Sequence, residues 1–404
     1  MTQATYVFDP FAPGYADDPY PEYARLRADG RVHEHPLGFW VVSHHEEVSA
    51  LLRGPLSVER RHMEGEMAER DTELFGERAT RRLSMLHRDP PGHTRLRKLV
   101  SKAFTPRSIA ALEPEIVQMV DGLLDDMSAS PSGTADLLEA LAFPLPFAVI
   151  SQMMGIPPGD DHTRMRELTG LAVRSLEPVV DPDVATQILA AGQELAALCS
   201  DVVARKRREP GDDLLTALIQ AEDDGDVLGD EELVAQVVLL YVAGHETTVN
   251  LIANGTLALL RNPDQLALLR STPDLADNAV EELLRYDSPV QFSRRITLEP
   301  YDVAGQTIPA GSFVMASLAS ANRDEEHWGP DADRLRLDRP DARSHLSFGS
   351  GVHHCLGAAL ARLEGRIVFQ RLVARFPDLA LAGDIEWNGR INLRGPVGLP
   401  VSMG

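Results

Sequence analysis

The chain has only two cysteines, Cys199 and Cys355, in 404 residues, and this excludes a disulfide framework and favours a reducing compartment. It is also poor in positive charge, with 39 Lys and Arg against 61 Asp and Glu and a formal net charge of -22. Because phosphate binding needs a basic surface, this balance excludes nucleic acid as a partner and argues equally against an anionic membrane surface.

Long hydrophobic runs are missing as well. The longest, from Val237 to Ala243, is far too short to span a bilayer. The N-terminus shows no basic segment followed by an apolar core, so we expect no signal peptide and a cytoplasmic location. We find neither repeats nor low-complexity linkers and therefore predict one domain over residues 1–404.

The hydrophobic periodicity predicts a mainly α fold with small β-sheets. The segment 54–82 lacks a clean period and is predicted to be a long loop with short helical pieces, and residues 322–347 show no regular period. The main helices are predicted at 23–28, 46–52, 230–260 and 275–286, with a last one that begins after Cys355 and reaches Arg375, and the strands at 38–43, 296–298, 301–303 and 313–315.

Cys355 lies in an unusual segment, Phe348-Gly-Ser-Gly-Val-His-His-Cys-Leu-Gly357, directly before a predicted helix. The helix dipole and free N–H groups at a helix start favour a thiolate over a thiol. The glycines permit a tight turn and close approach of a flat ligand. Two alternatives are a buried structural cysteine and a zinc site formed with His353 and His354, although three adjacent ligands close a tetrahedron poorly.

Three further segments contain polar residues whose positions require an explanation. Gly244-His-Glu-Thr-Thr248 interrupts an apolar helix, and Thr247 can donate a hydrogen bond to a carbonyl one turn earlier. His93 and Arg97 share one helical face, as do Glu282 and Arg285. By default, each of these would be a solvated polar turn or a surface charge.

Together these segments resemble the cytochrome P-450 superfamily. Phe348, Gly351, Cys355 and Gly357 match its haem-binding signature position for position, and the segments follow the order found in the family. The short form without an anchor is similar to the bacterial, especially actinomycete, branch. The resemblance implies a triangular prism of helices that encloses haem b (iron protoporphyrin IX), with Cys355 as the fifth ligand of the iron.

The resemblance also implies roles for other residues. Glu246 and Thr247 would form the acid–alcohol pair that delivers protons during oxygen activation. His93, Arg97, Arg295 and His353 would bind the haem propionates. Glu282 and Arg285, with Arg334 as the third member, would form a buried structural network.

The implied activity is monooxygenation of a small apolar molecule with dioxygen, and secondary-metabolite biosynthesis is the expected context. The electrons would come from a ferredoxin and a ferredoxin reductase that uses NADH or NADPH, with Arg362 and Arg366 as candidate docking residues. A peroxygenase or haem isomerase on the same fold is the first alternative, and a haem-based gas sensor or carrier is the second. The pocket walls are expected from the loop before Arg82 and from residues 168–184, 241–243, 290–293 and 392–393.

Overall fold

The computed structural model describes residues 6–76, 83–156, 161–177, 181–223 and 225–404. Helices dominate these residues. They are α1 (Tyr20–Asp29), α2 (His45–Arg53), α3 (Glu66–Phe75), α4 (Gly92–Ala103), α5 (Pro106–Ala111), α6 (Glu113–Ser128), α7 (Pro144–Met153), α8 (Asp161–Ala172), α9 (Pro182–Arg208), α10 (Leu214–Ile219), α11 (Asp230–Arg261), α12 (Pro263–Ser271), α13 (Ala276–Tyr286), α14 (Leu318–Ala321), α15 (Glu325–Trp328) and α16 (Ala358–Arg375).

Helix α11 runs through the middle of the main core. Three acidic residues occupy its first turn, where they face the positive end of the helix dipole, and Glu232 accepts a hydrogen bond from the amide of Gly229 at 3.0 Å. From Thr248 to Leu259 every residue is buried. A Cβ on Gly255 would lie 2.5 Å from Cζ of Phe369, so this glycine lets α16 pack closely against α11.

The strands form small sheets at the edge of the helical body. They are β1 (Val32–Glu34), β2 (Phe39–Val42), β3 (Thr134–Asp136), β4 (Glu222–Asp223), β5 (Asp226–Val227), β6 (Phe292–Ile296), β7 (Tyr301–Val303), β8 (Gln306–Ile308), β9 (Phe313–Ser317), β10 (Ala380–Leu381) and β11 (Pro400–Ser402). The largest sheet has the order β1-β2-β9-β6, with β2 and β9 parallel and the other neighbours antiparallel. In this sheet Arg295 of β6 lies opposite Val314 of β9.

The mainly α fold with small sheets is confirmed, and the structure differs locally from expectation in three places. Residues 66–75 form one regular helix, α3, within the segment predicted as a long loop with short helical pieces; residues 77–82 lie outside the described ranges. The strand predicted at 296–298 ends at Ile296, and β8 was not predicted. Among the described helices, none is both long and apolar enough to cross a membrane.

Candidate active site

The cysteine segment folds into a tight loop beneath a large internal cavity. The amide of Cys355 donates to the carbonyl of Phe348 at 2.9 Å, and Gly349 and Gly351 have φ of +67° and +71°. A Cβ on Gly351 would lie 2.7 Å from the carbonyl oxygen of Leu52 at the end of α2. Only glycine therefore fits at Gly351, both by backbone conformation and by space.

Cys355 lies before the start of α16 and faces the cavity. Cys355 is exposed to the cavity, and its enclosure within the protein raises the pKa of the thiol, while the amides of Gly357 and Ala358 and the charges of Arg97 and Arg362 act in the opposite direction. The start of the helix therefore favours a thiolate against the desolvation of the site. Coordination to a metal cation deprotonates a thiol outright, and the donors then stabilise the sulfur charge.

Helix α11 lines the cavity at the interrupted segment without losing its helical form. The Thr247 hydroxyl donates to the carbonyl of Ala243 at 2.8 Å, which is the bond expected from the sequence. Ala243, Gly244 and Thr247 all line the cavity. Glu246 is not among the lining residues, and its carboxylate is bound by Arg390 at 2.6 Å.

Four cationic or donor side chains meet at one edge of the same cavity. His93 and Arg97 come from α4, Arg295 from β6 and His353 from the cysteine loop, and the two imidazole rings lie 4.2 Å apart. Nδ1 of His93 is buried without a hydrogen-bond partner. Within the described residues Arg97 forms no ion pair, whereas Arg95 on the same helix binds Asp226 at 3.2 Å.

Electrostatics around this cluster call for an anion. Burial lowers the pKa of Arg295 to about 10, opposed only by Asp89, whose carboxylate already accepts from Ser57 and from the amide of Val58. Burial, together with the charges of His93, Arg295 and Arg97, lowers the pKa of His353 to about 3. Carboxylates placed among these groups would satisfy the free donors and neutralise the charge. The cluster and the cysteine thus fit the propionates and the iron of haem.

Behind the cysteine loop lies a fully buried charge network. Arg285 donates to both carboxylate oxygens of Glu282 at 2.7 and 2.8 Å, and both side chains are fully buried. The third member is Arg339, at 3.2 Å from Glu282, so the prediction of Arg334 is wrong. Arg334 offers its carbonyl to Arg285 at 2.8 Å, while its side chain is exposed.

The two arginines expected to dock a ferredoxin are engaged with carboxylates. Arg362 binds Glu281 at 2.8 Å and Arg366 binds Glu113 at 2.7 Å. Burial alone would raise the pKa of Glu281, but hydrogen bonds from His345 and Arg362 lower it to about 2. Both arginines are partly buried, so they present only part of their charge to a partner.

The cavity has a volume of about 780 Å³, and its wall is mainly apolar. Charged side chains also line it, among them Arg60, Arg70, Asp71, Glu73 and Glu177. Within the expected wall segments, residues of 173–177, Pro182, 290–293 and 392–393 do line it, as does α3, whereas Tyr241 and Leu168 do not. Apolar side chains from these segments include Met67, Leu74, Phe75, Val173, Leu176, Leu239, Val242, Val290, Phe292, Ile391 and Leu393.

The residues that sequence reasoning missed include Glu364 and Glu177 at the cavity and Arg390, which does not line it. Glu364 of α16 is buried, its Oε2 has no partner, and burial raises its pKa to about 8. Its spacing of four from Leu360 on a buried helical stripe was a usable signal. Glu177 accepts three backbone amides of residues 391–393, and Arg390 binds Glu246; neither contact leaves a trace in sequence spacing.

Comparison with known proteins agrees with this geometry. The model of the family "Cytochrome P450" matches residues 31–381. The chain is 44% identical over 396 residues to cytochrome P450 monooxygenase PikC of Streptomyces venezuelae, covering 96% of this chain and 91% of that protein. It is 42% identical over 319 residues to 6-deoxyerythronolide B hydroxylase of Saccharopolyspora erythraea, covering 78% and 76%.

A solved structure shows the same architecture. Cytochrome P450 PksS of the Bacillus subtilis bacillaene polyketide synthase superposes with a TM-score of 0.88 at 35% identity, covering 98% of this chain and all of that chain. The chain belongs to the cytochrome P450 family. It is a cytochrome P450 monooxygenase, and its cofactor is haem b.

Proposed function

We propose that this monooxygenase inserts one atom of dioxygen into a C–H or C=C bond of an apolar small molecule, by hydroxylation or epoxidation. One observation carries the proposal: Cys355, Thr247 and four donor side chains line the same cavity, whose wall is otherwise mainly apolar. Such a cavity binds its ligand mainly by burying apolar surface, with a few polar groups setting orientation.

Each site residue has a part in this proposal. Cys355 would hold the haem iron through its sulfur, and haem, when bound, would supply the oxygen-activating chemistry. His93, Arg97, Arg295 and His353 hold the two propionates through charge-assisted hydrogen bonds. Thr247 orients a proton donor in the cavity through its hydroxyl, and Glu246 exchanges protons between solvent and that hydroxyl.

The iron–sulfur bond is tested by the spectrum of the reduced protein with carbon monoxide. We expect the absorption typical of a thiolate-ligated haem in the unaltered protein. Cys355→His should retain haem but lose that absorption, because imidazole replaces the thiolate. Thiolate-type absorption that persists in Cys355→His would contradict the assignment of Cys355.

The role of Thr247 is tested by where the electrons go. Thr247→Ala should still accept electrons, but it should release most of them as hydrogen peroxide instead of hydroxylated product. Thr247→Ser keeps a hydroxyl that can reach the Ala243 carbonyl and is the matched control. Unchanged product per NADPH in Thr247→Ala would remove Thr247 from the proton path.

The peroxygenase alternative makes a different prediction. A peroxygenase would turn over with hydrogen peroxide alone and show no activity with an electron-transfer system.

We propose ferredoxin and ferredoxin reductase as the electron source and the cytoplasm as the location. Reduction would occur from the face beneath Cys355, where Val352 and Arg343 are 56% and 75% exposed. Arg362 and Arg366 remain candidate contacts there.

For the substrate we propose a secondary metabolite, with polyketide-derived compounds tested first. The names of two relatives, a hydroxylase of 6-deoxyerythronolide B and the polyketide biosynthesis cytochrome P450 PksS, support this choice. The measurement is the substrate-induced shift of the Soret band across polyketides, terpenoids, steroids and fatty acids. Tighter binding of another class than of polyketides would overturn the choice.

A further inference from the structure

The segment 386–397, here called the C-terminal loop, forms part of the cavity wall. Its ends approach each other, since the amide of Val397 donates to the carbonyl of Glu386 at 2.9 Å and that of Asn388 to Gly395 at 3.0 Å. Between these ends, Ile391, Asn392 and Leu393 line the cavity. These three residues are therefore placed to contact a substrate bound in the cavity.

Two carboxylates from distant helical regions hold the C-terminal loop. Glu177 accepts the amides of Ile391, Asn392 and Leu393 at 2.9, 2.8 and 2.8 Å. Burial raises the pKa of Glu177, while these amides and the charge of Arg390 oppose that shift. The second carboxylate is Glu246 of α11, which accepts from Nη1 of Arg390 at 2.6 Å.

The Arg390–Glu246 pair lies in a partly buried place. The side chains of Arg390 and Glu246 are only 21% and 15% exposed, so solvent screens them less than a surface pair. The amide of Arg390 donates to Oδ1 of Asn388 at 3.1 Å, which fixes the backbone from which the guanidinium extends. Among the described residues, the Arg390 guanidinium is the single cation in an ion pair with Glu246.

We propose that Arg390 is a positioning residue that fixes the Glu246 carboxylate for proton delivery and links it to the substrate-lining part of the C-terminal loop. Arg390 directly precedes Ile391, and Glu246 directly precedes Thr247, so one ion pair joins the substrate wall to the oxygen-activating segment. A substrate that holds the C-terminal loop in its correct position therefore also fixes the position of the Glu246 carboxylate. This inference rests on the proposed function of Glu246 and Thr247.

Arg390→Gln in the haem-loaded enzyme tests the proposal. Product per NADPH should fall about tenfold, less than the loss of about a hundredfold expected when the general acid–base group itself is removed in Glu246→Gln. The solvent deuterium isotope effect on product formation should rise. Arg390→Lys keeps the charge and should restore most of the coupling. Arg375→Gln, which breaks an exposed pair with Asp125, is the matched control and should change neither quantity.

Two further measurements separate positioning from simple loss of structure. If Arg390 acts through Glu246, the double variant Arg390→Gln/Glu246→Gln should be no worse coupled than Glu246→Gln alone. Amide hydrogen exchange of peptides covering 386–397, measured on the haem-loaded enzyme without turnover, should increase in Arg390→Gln and not in Arg390→Lys. Additive losses, or unchanged coupling and exchange in Arg390→Gln, would overturn the proposal.

Failure of this inference is distinguishable from failure of the proposed function. If Glu246→Gln itself couples normally, the proposed role of Glu246 fails and the inference fails with it. If Glu246→Gln uncouples the enzyme and Arg390→Gln does not, only the inference fails. The carbon monoxide spectrum should be thiolate-type in every variant, because neither residue lies at Cys355.

Discussion

His245 provides a sharp test of how burial controls charge in this structure. It lies on α11, 1% exposed, with its ring 4.3 Å from that of Phe143 and 5.5 Å from that of Phe147. Neither ring nitrogen makes a well-formed hydrogen bond, and a weaker contact with the backbone of Phe143 favours the charged ring. Burial lowers the pKa of His245 from 6.5 to about 4; the backbone of Phe143 opposes the shift, and the charge of Arg166 adds to it.

The sign of the pH dependence follows from which state holds the proton more tightly. The unfolded chain binds it with the ordinary pKa of 6.5, and the folded chain binds it more weakly, so acid favours unfolding. A separation of about 2.5 pKa units corresponds to about 3 kcal/mol once both states are protonated, at 1.36 kcal/mol per unit. Of this, about 2 kcal/mol is already lost at pH 5.

The assay is urea unfolding followed by circular dichroism at pH 7.5 and pH 5, for the unaltered protein and His245→Leu. Leucine keeps similar bulk and cannot take up a proton. The free energy of unfolding of His245→Leu relative to the unaltered protein should therefore rise by about 2 kcal/mol from pH 7.5 to pH 5. Ile308→Val, which removes one methylene group from a separate apolar cluster, should shift stability equally at both pH values. A pH-independent difference for His245→Leu would refute the reasoning.

Two other substitutions test buried charges. Glu364→Gln should stabilise the protein increasingly as pH rises from about 4.5 to about 8, because the folded state resists ionisation over that window, and unfolding of both proteins across it checks this. An equal effect at all pH values would contradict the burial argument. Arg339→Gln should lower the free energy of unfolding by about 3 kcal/mol or more, because it leaves part of the buried Glu282 charge uncompensated. Arg334→Gln should lower it by less than about 0.5 kcal/mol. Urea unfolding of both variants should rank them in that order.

The residues with fixed local spacing were the ones that sequence could predict. The glycines and Cys355 lie within ten residues, and His93 and Arg97 share a helical face, so their proximity follows from local geometry. The cavity then brings them together with Thr247 and Arg295, as the resemblance implied. The α11 segment was found because polar residues interrupt a buried helix.

Other features depend on contacts that no local rule encodes. The irregular segment 331–339 has arginines at 334, 336 and 339. Only the path of its turns decides which guanidinium group reaches the Glu282 carboxylate. Similarly, Arg390 and Glu246 are separated by 144 residues. Helix α3 was missed because only Phe75 of its side chains is buried, which leaves too weak an apolar stripe to define a helical period.

The structure also separates two kinds of constraint within one cavity. The end near Cys355 needs a glycine without space for a Cβ, a sulfur aimed at the cavity, and donors without carboxylate partners. These requirements restrict residue type at fixed positions, and they are therefore legible as motifs. The walls formed by α3, residues 173–177 and the C-terminal loop need mainly shape and hydrophobicity, which many different side chains can supply. A few obligatory residues consequently determine the reaction class. The choice of substrate depends on many residues in wall segments that can change without disturbing the sulfur or the propionate cluster.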